Sequence, residues 1–308
     1  MRKGRIMLEF RQDYFKEESR DGFVVSEKMK RVWAAELEVL SEIIRICQKH
    51  GLTYYADWGT LLGAVRHAGF VPWDDNIDIA LKRADYQVLL ETLSEELPDS
   101  WSVSSYCVLG KHSQPVSCVM NSKVINMDPE VIKRFHGCPY MVGVNLYPLD
   151  YIPEDETMTD AQLEMYQTVY DTARQYSQLR EKGQLEFYLS KIERLCQISF
   201  DSDKPLRKQL WQLSEQICTL FEEEDCDYLT WFPQLIHGNE PFRLKKKWYA
   251  ETIELPFENI SISVPKGYQE ALSMMYGDYL VPVRNTDKQD YPFYKKQDEY
   301  LRALGRLP

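Results

Sequence analysis

The sequence predicts an α+β fold organised around a mixed sheet. Short runs with the two-residue alternation of strands are interleaved with segments whose apolar residues recur every three or four positions, as in amphipathic helices. After residue 159 the pattern becomes helical over three segments, which indicates a helical insertion beside the sheet. Of the 308 residues, 44% are hydrophobic, enough to bury a core without a disulfide framework or a structural metal.

The first predicted element is a helix that begins after Ser26, a typical N-cap residue, and ends at Gly51. One face of this helix is apolar and is expected to be buried, so we interpret the helix as scaffold and not as part of a site. Residues 1–25 are charged and irregular, and we expect them to form an arm that lies on the body. The apolar face consists of Met29, Trp33, Leu37, Leu40, Ile44 and Cys47.

The remaining elements are short and follow in a regular order. The strands predicted from alternating apolar residues lie at 52–56, 74–81, 101–108, 116–127, 140–146, 251–256 and 260–265. The helices predicted from three-to-four spacing lie at 61–66, 84–97, 159–181, 184–198, 203–223 and 268–276. The pattern predicts an arm at 1–25, a core at 26–152, and a helical and C-terminal region at 153–308 that packs on the core.

Charge and cysteine content narrow the function classes. The chain carries 37 Lys and Arg against 48 Asp and Glu, a net charge of −11, which leaves little basic surface for a nucleic acid. The seven cysteines form no C-x-x-C pair, which indicates neither a zinc site nor a disulfide framework. The N-terminal segment lacks the apolar stretch of a signal peptide, and no run of about 18 apolar residues is present to span a bilayer, so we expect a cytoplasmic protein.

The pair Gly59-Thr60 stands where a predicted strand gives way to a helix. Glycine lets a phosphate approach the backbone closely, and the free N–H groups of a first helical turn point at the anion. The Thr60 hydroxyl can add one hydrogen bond. Plain turns and helix caps contain the same pair, so both interpretations stay open at this level.

The run Asp74-Asp75-Asn76-Ile77-Asp78 carries the strongest chemical signal. Side chains two residues apart share one face of a strand, so Asp74, Asn76 and Asp78 are expected to point away from the core. Oxygen ligands presented side by side suit Mg²⁺ or Mn²⁺, which keep waters and substrate phosphates as their other ligands. The alternative is that Asp74 and Asp75 merely begin the strand in solvent.

Three basic residues are candidates for binding a phosphate: Arg66, His67 and Lys123. The guanidinium of Arg66 donates two parallel hydrogen bonds, which suits a phosphate oxygen pair. The pair Arg66-His67 is equally compatible with an exposed surface, and Lys123 can point outward from its strand. We therefore treat them as candidates that assist Gly59 and Thr60.

The block GTLLGAVRHAGFVPWDDNIDIALKRADY resembles the signature of the LicD family, whose relatives include fukutin and fukutin-related protein. The similarity continues, in the expected order, through RDGFVVSEKMKRVWAAELEVL, VNLYPLDYIP, LPFENISISVP, MYGDYL and YPFYKKQ. Most of the chain is therefore covered, and residues 155–240 are the least diagnostic part.

The resemblance implies a nucleotidyltransferase fold like that of polymerase β. It also implies transfer of a phospho-alcohol, such as phosphocholine, from a CDP-linked donor to a sugar hydroxyl, with release of CMP. In the family the Gly-Ser/Thr element, here Gly59-Thr60, holds the donor phosphates. The acidic strand, here Asn76-Ile77-Asp78, binds Mg²⁺ (or Mn²⁺), and a carboxylate on a later strand corresponds to Asn145. The expected partners are a CDP-alcohol and a glycan acceptor.

Two positions depart from the family pattern, because Asn76 and Asn145 stand where aspartates are usual. Each exchange removes one negative charge, and an amide cannot accept a proton as a general base. Asp74 is the nearest replacement ligand, and Asp150 is a candidate for the base. We therefore assign catalytic roles to Asp78, Asp74 and Asp150, and metal binding to Asp78, Asn76 and Asn145.

The sequence thus predicts a Mg²⁺-dependent phosphotransferase of the LicD type that modifies a cell-surface glycan such as lipopolysaccharide, teichoic acid or capsule. Peripheral association with a membrane-linked acceptor is compatible with this prediction. Two alternatives stay open. One is a relative that binds nucleotide or glycan without turnover because of the two asparagines, and the other is a nucleotidyltransferase that uses nucleoside triphosphates and releases pyrophosphate.

Overall fold

A computed structural model describes four stretches of the chain, namely residues 7–105, 116–238, 242–284 and 294–306. The α+β class predicted from the sequence is confirmed, because antiparallel strand pairs, such as Tyr55–Ala56 with Ile77–Lys82, are combined with a run of helices between residues 156 and 218. Within the described stretches, no helix has both the length and the apolar character that a membrane span requires.

The chain divides into two compact units. The first consists of Met1–Val103, Cys118–Leu146 and Glu251–Pro308, and the second of Ser104–Ser117 and Tyr147–Ala250. The predicted boundary at residue 152 falls inside a single strand, Gly143–Pro153, which begins in the first unit and ends in the second.

The first unit is built on a sheet with the strand order β3–β4–β7–β6–β5, in which β3 and β4 are antiparallel. The hairpin β10–β11 packs against β3, and its buried side chains complete one hydrophobic core with those of α1 and the sheet. The strands are β1 (Glu18–Arg20), β2 (Phe23–Val25), β3 (Tyr55–Ala56), β4 (Ile77–Lys82), β5 (Ser102–Ser104), β6 (Ser117–Met120), β7 (Gly143–Pro153), β10 (Thr252–Phe257) and β11 (Ile260–Pro265). The helices are α1 (Glu27–His50), α2 (Trp58–His67), α3 (Arg83–Glu96), α4 (Pro129–Arg134), α10 (Tyr268–Tyr276) and α11 (Lys295–Ala303).

The first helix confirms the prediction from the sequence. The hydroxyl oxygen of Ser26 accepts the backbone N–H of Met29 at 3.2 Å, and Gly51 ends the helix with a φ of 67°, a conformation that glycine adopts without strain. Apolar residues of α1 are fully buried, including Trp33, Leu37 and Leu40. The helix thus forms one side of the core of the first unit.

Several predicted boundaries are wrong, and one of them affects the site. The strand predicted at 74–81 begins only at Ile77. Pro72 and Trp73 form a turn, and the residues from Asp74 to Asn76 that follow it are outside any strand. Asp74 therefore does not share a strand face with Asp78. The strand predicted at 116–127 ends at Met120.

Other predicted elements differ in length or lie partly outside the described residues. The small helix begins three residues earlier than predicted, at Trp58. Of the strand predicted at 101–108, the structure contains Ser102–Ser104, and residues 106–108 lie outside the described stretches. Part of the YPFYKKQ segment also lies outside them. The segment before α1 is not wholly irregular, since β1 and β2 pair as an antiparallel hairpin with Glu18 opposite Val25.

The second unit combines five helices with the end of β7. Its strand β8 (Cys226–Thr230) pairs antiparallel with β7, Asp150 facing Thr230, and β9 (Leu244–Lys245) pairs with β8. A separate hydrophobic core forms around Tyr166, Trp211 and Phe232. The helices are α5 (Glu156–Arg174), α6 (Tyr176–Glu181), α7 (Leu185–Cys196), α8 (Leu206–Cys218) and α9 (Phe232–His237).

Candidate active site

Asp78 is the centre of the candidate site in the first unit. It lies in β4 with only 7% of its surface exposed. The amide nitrogen of Asn145, on β7, donates to Asp78 Oδ1 at 2.9 Å, and that of Asn76 donates to Asp78 Oδ2 at 2.7 Å. The backbone N–H of Asp78 donates to the hydroxyl oxygen of Thr60 at 2.8 Å. Four residues that the sequence singled out are therefore brought together.

The N-terminus of α2 faces this centre through a tightly held turn. The carboxylate of Asp57 accepts the backbone N–H of Trp58 at 2.9 Å and caps the helix, and the N–H of Asp57 donates to the carbonyl oxygen of Asp78 at 3.0 Å. Trp58 has a φ of 46°, which is uncommon for a residue other than glycine. Backbone strain of this kind persists where the surroundings fix it, and it is concentrated at functional sites.

Asp74 reaches the same place from the turn before β4. A Cβ atom added to Gly59 would lie 2.1 Å from Asp74 Oδ2, so the Asp74 carboxylate rests against the α-carbon of Gly59. Only glycine leaves room for this approach. The prediction that Asp74 lies near Asp78 is therefore supported, although a turn and not a shared strand face positions it.

Two carboxylates of the site, Asp57 and Asp74, have raised pKa values. Burial and the neighbouring Asp78 raise the pKa of Asp57 to about 7. Burial, Asp78 and Asp75 raise the pKa of Asp74 to about 7. Within the described part of the chain, none of the groups that shift these two pKa values is a lysine or an arginine. Burial and like charge thus favour the protonated forms of Asp57 and Asp74.

Glu36 on α1 is a residue that the sequence analysis missed, because we interpreted α1 as scaffold. It is 1% exposed, and its Oε2 has no hydrogen-bond partner among the described residues. Burial together with Asp75, Asp74 and Asp78 raises its pKa well above the usual range of a glutamate. The helix α1 therefore places a buried carboxylate near the site, which our interpretation of α1 as scaffold did not anticipate.

A signal for Glu36 was present in the sequence. On a helix, side chains three or four residues apart are neighbours, and those neighbours of Glu36 are Val32, Trp33, Val39 and Leu40. A carboxylate on an apolar helix face, without a basic residue at helical spacing, is costly to bury unless a partner comes from elsewhere.

Tyr276, at the end of α10, is a second residue that the sequence did not indicate. The residue as a whole is 41% exposed, but its phenol group lies inside the protein. This burial raises the pKa of the phenol, and so do the nearby carboxylates of Asp57, Asp74 and Asp78. Arg66 lies near it at the end of α2, where Nη1 donates to the carbonyl oxygen of Tyr279 at 3.0 Å.

The predicted phosphate-binding residues occupy different surroundings. The Nε of Arg66 is buried without a hydrogen-bond partner among the described residues, and burial lowers the pKa of this guanidinium. His67 lies with its Nε2 2.8 Å from the Asp21 carboxylate, in the turn between β1 and β2. Lys123 is exposed beyond the end of β6, and only its backbone N–H has a recorded bond, to Ser100. The structure therefore places Gly59 and Thr60 at the site. The charged neighbours of Arg66 are Asp21 and Tyr276, and among the described residues no contact joins Arg66, His67 or Lys123 to Asp78.

Asp150, the predicted base, lies in the part of β7 that belongs to the second unit. It is 1% exposed, faces Thr230 across the β7–β8 ladder, and contributes to the raised pKa of Tyr166. Its assignment as a base remains a prediction.

A hard divalent cation such as Mg²⁺ fits the chemistry of these residues. Among the described residues, no lysine or arginine is a cause of the raised pKa values of Asp57, Asp74 and Glu36. Their carboxylates are oxygen donors, the ligands that Mg²⁺ prefers. Among the described residues, however, no three Asp, Glu, His or Cys side chains are close enough to hold a metal ion alone. The ion would therefore depend on the amide oxygens of Asn76 and Asn145 beside Asp78, and on oxygens of a bound ligand.

Comparison with known proteins agrees with this geometry. Residues 51–136, which contain most of the residues described above, match the family model described as LicD/FKTN/FKRP, nucleotidyltransferase domain. Outside this segment the site adds Glu36, Asn145 and Tyr276. The segment that carries Thr60, Asn76 and Asp78 is therefore similar to a nucleotidyltransferase domain of the LicD/FKTN/FKRP kind.

The match to the LicD family model thus covers residues 51–136 of the chain. The chain is similar to the lipopolysaccharide cholinephosphotransferase LicD of Haemophilus influenzae, with 21% identity over 249 residues that cover 79% of this chain and 88% of the relative. Uncharacterized proteins of Rickettsia prowazekii (RP689) and Rickettsia typhi (RT0683) are each 38% identical over 48 residues, 16% of this chain and 18% and 16% of theirs.

Proposed function

We propose that this protein transfers a phospho-alcohol, such as phosphocholine, from a CDP-linked donor to a sugar hydroxyl of a cell-surface glycan. The observation that carries the proposal is the Asp78 centre, in which two amides meet one carboxylate directly beside the N-terminus of α2. The name of the Haemophilus relative, a lipopolysaccharide cholinephosphotransferase, supports the phosphocholine donor and a lipopolysaccharide acceptor.

The reaction has a simple atom balance. The sugar oxygen forms a bond to the phosphorus that carries the alcohol, and the bond from that phosphorus to the oxygen bridging it to CMP breaks. CMP leaves with the bridging oxygen, and the proton of the sugar hydroxyl is released. Catalysis of such a step depends on positioning and on neutralising phosphate charge more than on covalent chemistry by the protein.

The N-terminal turn of α2 suits the donor diphosphate. Thr60 is held by Asp78, and the backbone N–H groups of Gly59 and Thr60 belong to the first turn, where N–H groups lack helical partners. Arg66 at the other end of the same helix keeps one buried guanidinium nitrogen without a recorded partner, which a phosphate oxygen would satisfy. We keep His67 and Lys123 as weaker candidates for this role.

Asp78, Asn76 and Asn145 would hold the divalent ion, with Asp74 as the nearest additional carboxylate. A bound Mg²⁺ or Mn²⁺ would neutralise charge on the diphosphate during transfer. We further propose that the core adopts the polymerase-β-like nucleotidyltransferase arrangement. A cytoplasmic location, with peripheral association to a membrane-linked acceptor, would fit an acceptor glycan built before export. Teichoic acid and capsule are further candidate acceptors.

One observation favours a second candidate function, donor binding without turnover. Both carboxylate oxygens of Asp78 already receive an amide hydrogen, so the centre is satisfied without a cation. Such a site would keep the donor pocket and lose affinity for the metal.

The proposal is tested by CMP release from CDP-choline with a choline-free lipopolysaccharide acceptor and Mg²⁺. We expect release by the natural chain and its loss in Asp78→Asn, which keeps the shape and removes the charge. The matched control Asp85→Asn, at the start of α3, should leave release unchanged, because Asp85 accepts the Thr53 N–H at 3.0 Å and is not among the residues bonded to Asp78. Tight binding of the donor, with no CMP release under any combination of metal and acceptor, would favour the second function. Release of pyrophosphate from CTP would instead indicate a nucleotidyltransferase.

A further inference from the structure

We propose that Glu36 is a positioning residue for the divalent ion, replacing from α1 the negative charge that is lost at Asn76 and Asn145. The inference rests on the proposed function, because it concerns the same site. It assigns to a helix outside residues 51–136 a role that the family match does not cover.

The placement of Glu36 is fixed by packing. Trp33, one helical turn before it, donates its indole N–H to the carbonyl oxygen of Asp74 at 3.0 Å. Residues three apart lie on the same helix face, so Glu36 faces the turn that carries Asp74. Trp33 also stacks on Phe70 with a centroid distance of 4.6 Å, which holds this part of α1 firmly against the segment before the site.

The cost of burying Glu36 argues against a purely structural role. A buried carboxylate is normally paired with a cation or hydrogen-bonded on each oxygen. Glu36 is 1% exposed, its Oε2 has no partner among the described residues, and its charged neighbours are the carboxylates of Asp74, Asp75 and Asp78. Such an arrangement destabilises the protein by itself and becomes favourable when a cation enters.

Glu36 is expected to act through the waters of the ion. Mg²⁺ usually keeps several waters in protein sites, and these waters donate hydrogen bonds to nearby carboxylates. Direct coordination is not required, in agreement with the finding that no three acidic, histidine or cysteine side chains among the described residues could hold an ion alone. Partners in this outer position commonly orient the ion and set its affinity.

The test measures Mn²⁺ binding by electron paramagnetic resonance and calorimetry on the full chain, with no donor present and again with CDP-choline. We expect Glu36→Gln to weaken Mn²⁺ binding about tenfold to a hundredfold, as is typical for the loss of an outer partner. The control Glu42→Gln removes a carboxylate from the same helix that pairs with Arg45 at 2.7 Å, and it should leave Mn²⁺ affinity unchanged.

A rescue separates an electrostatic role from a structural one. In the double variant Glu36→Gln with Asn145→Asp, the carboxylate restored on β7 should recover most of the lost Mn²⁺ affinity. Unchanged affinity in Glu36→Gln, or equal loss in Glu42→Gln, would overturn the inference while leaving the proposed function intact. Absence of both Mn²⁺ binding and CMP release in the natural chain would instead contradict the proposed function.

Discussion

Two glutamates of the same helix, Glu36 and Glu38, are equally buried and have opposite surroundings. Each is 1% exposed. Glu38 Oε2 lies 2.6 Å from Nη1 of Arg134, and Oε1 lies 2.8 Å from Nε2 of His136 and accepts the N–H of Leu8 at 2.7 Å. Glu38 thus forms ion pairs, whereas the charged neighbours of Glu36 among the described residues are the carboxylates of Asp74, Asp75 and Asp78.

The difference teaches that burial of a charge does not by itself mark a functional site. Burial alone would raise the pKa of Glu38, but hydrogen bonds from His136 and Arg134 outweigh it and lower that pKa. Glu38 thus ties the N-terminal arm and α4 to α1. No basic residue compensates the burial of Glu36 in this way. Its ionised carboxylate therefore lowers the stability of the folded protein, and a bound cation would offset that loss.

The largest expected effect is the loss of stability on substitution of Glu38, the glutamate that pairs with Arg134 and His136. Glu38→Gln would leave Arg134 and His136 without their carboxylate, and breaking a buried pair in this way typically costs about 3 kcal/mol of the free energy of unfolding. Urea denaturation monitored by tryptophan fluorescence measures this loss. In the metal-free protein Glu36→Gln should be neutral or stabilising, and an equal loss in both variants would remove the distinction between the two sites.

A smaller effect is expected when a carboxylate is introduced at Asn145, beside Asp78. Asn145→Asp replaces the amide donor to Asp78 by a second carboxylate, so the metal-free protein should lose about 2 kcal/mol, the value of a hydrogen bond to a charged group. Mg²⁺ should recover most of this loss. Asn121→Asp is the control, since Asn121 bonds Tyr140 and Val142 in the same unit, and its destabilisation should not respond to Mg²⁺.

The smallest expected effect is a difference in pH dependence. The pKa of Glu36 is raised, so the unfolded chain loses this proton at lower pH than the folded protein does. The contribution of Glu36 to the free energy of unfolding therefore falls as the pH rises above the ordinary value of a glutamate. The lowered pKa of Glu38 gives the opposite sign, a contribution present near neutral pH and lost on acidification.

Metal-free melting curves between pH 4.5 and 8 measure this dependence. Relative to the natural chain, Glu36→Gln should gain thermal stability towards high pH, whereas Glu38→Gln should lose least at low pH. Parallel curves for all three proteins would contradict the assigned environments.

The sequence predicted those features that depend on local pattern. The helix from Ser26 to Gly51, the strand 260–265 and the helix 268–276 follow from caps and apolar spacing, and all three are present. The grouping of Thr60, Asn76, Asp78 and Asn145 followed from the resemblance to the family and is also present.

The remainder depends on contacts between distant segments. The position of Asp74 against Gly59 results from a turn whose end cannot be read from alternation. Tyr276 approaches the site because the helix α10 packs against α2, and nothing in its own segment indicates that contact. The sequence also did not predict that residues 251–308 belong to the first unit.

The most direct test of the central claim is calorimetric binding of CDP-choline to the full chain, with and without Mn²⁺. The claim is that a cation and the diphosphate share the oxygens around Asp78 beside Thr60. It predicts that Mn²⁺ strengthens donor binding and that Asp78→Asn removes this gain. Donor affinity that is independent of Mn²⁺ and unchanged in Asp78→Asn would contradict it.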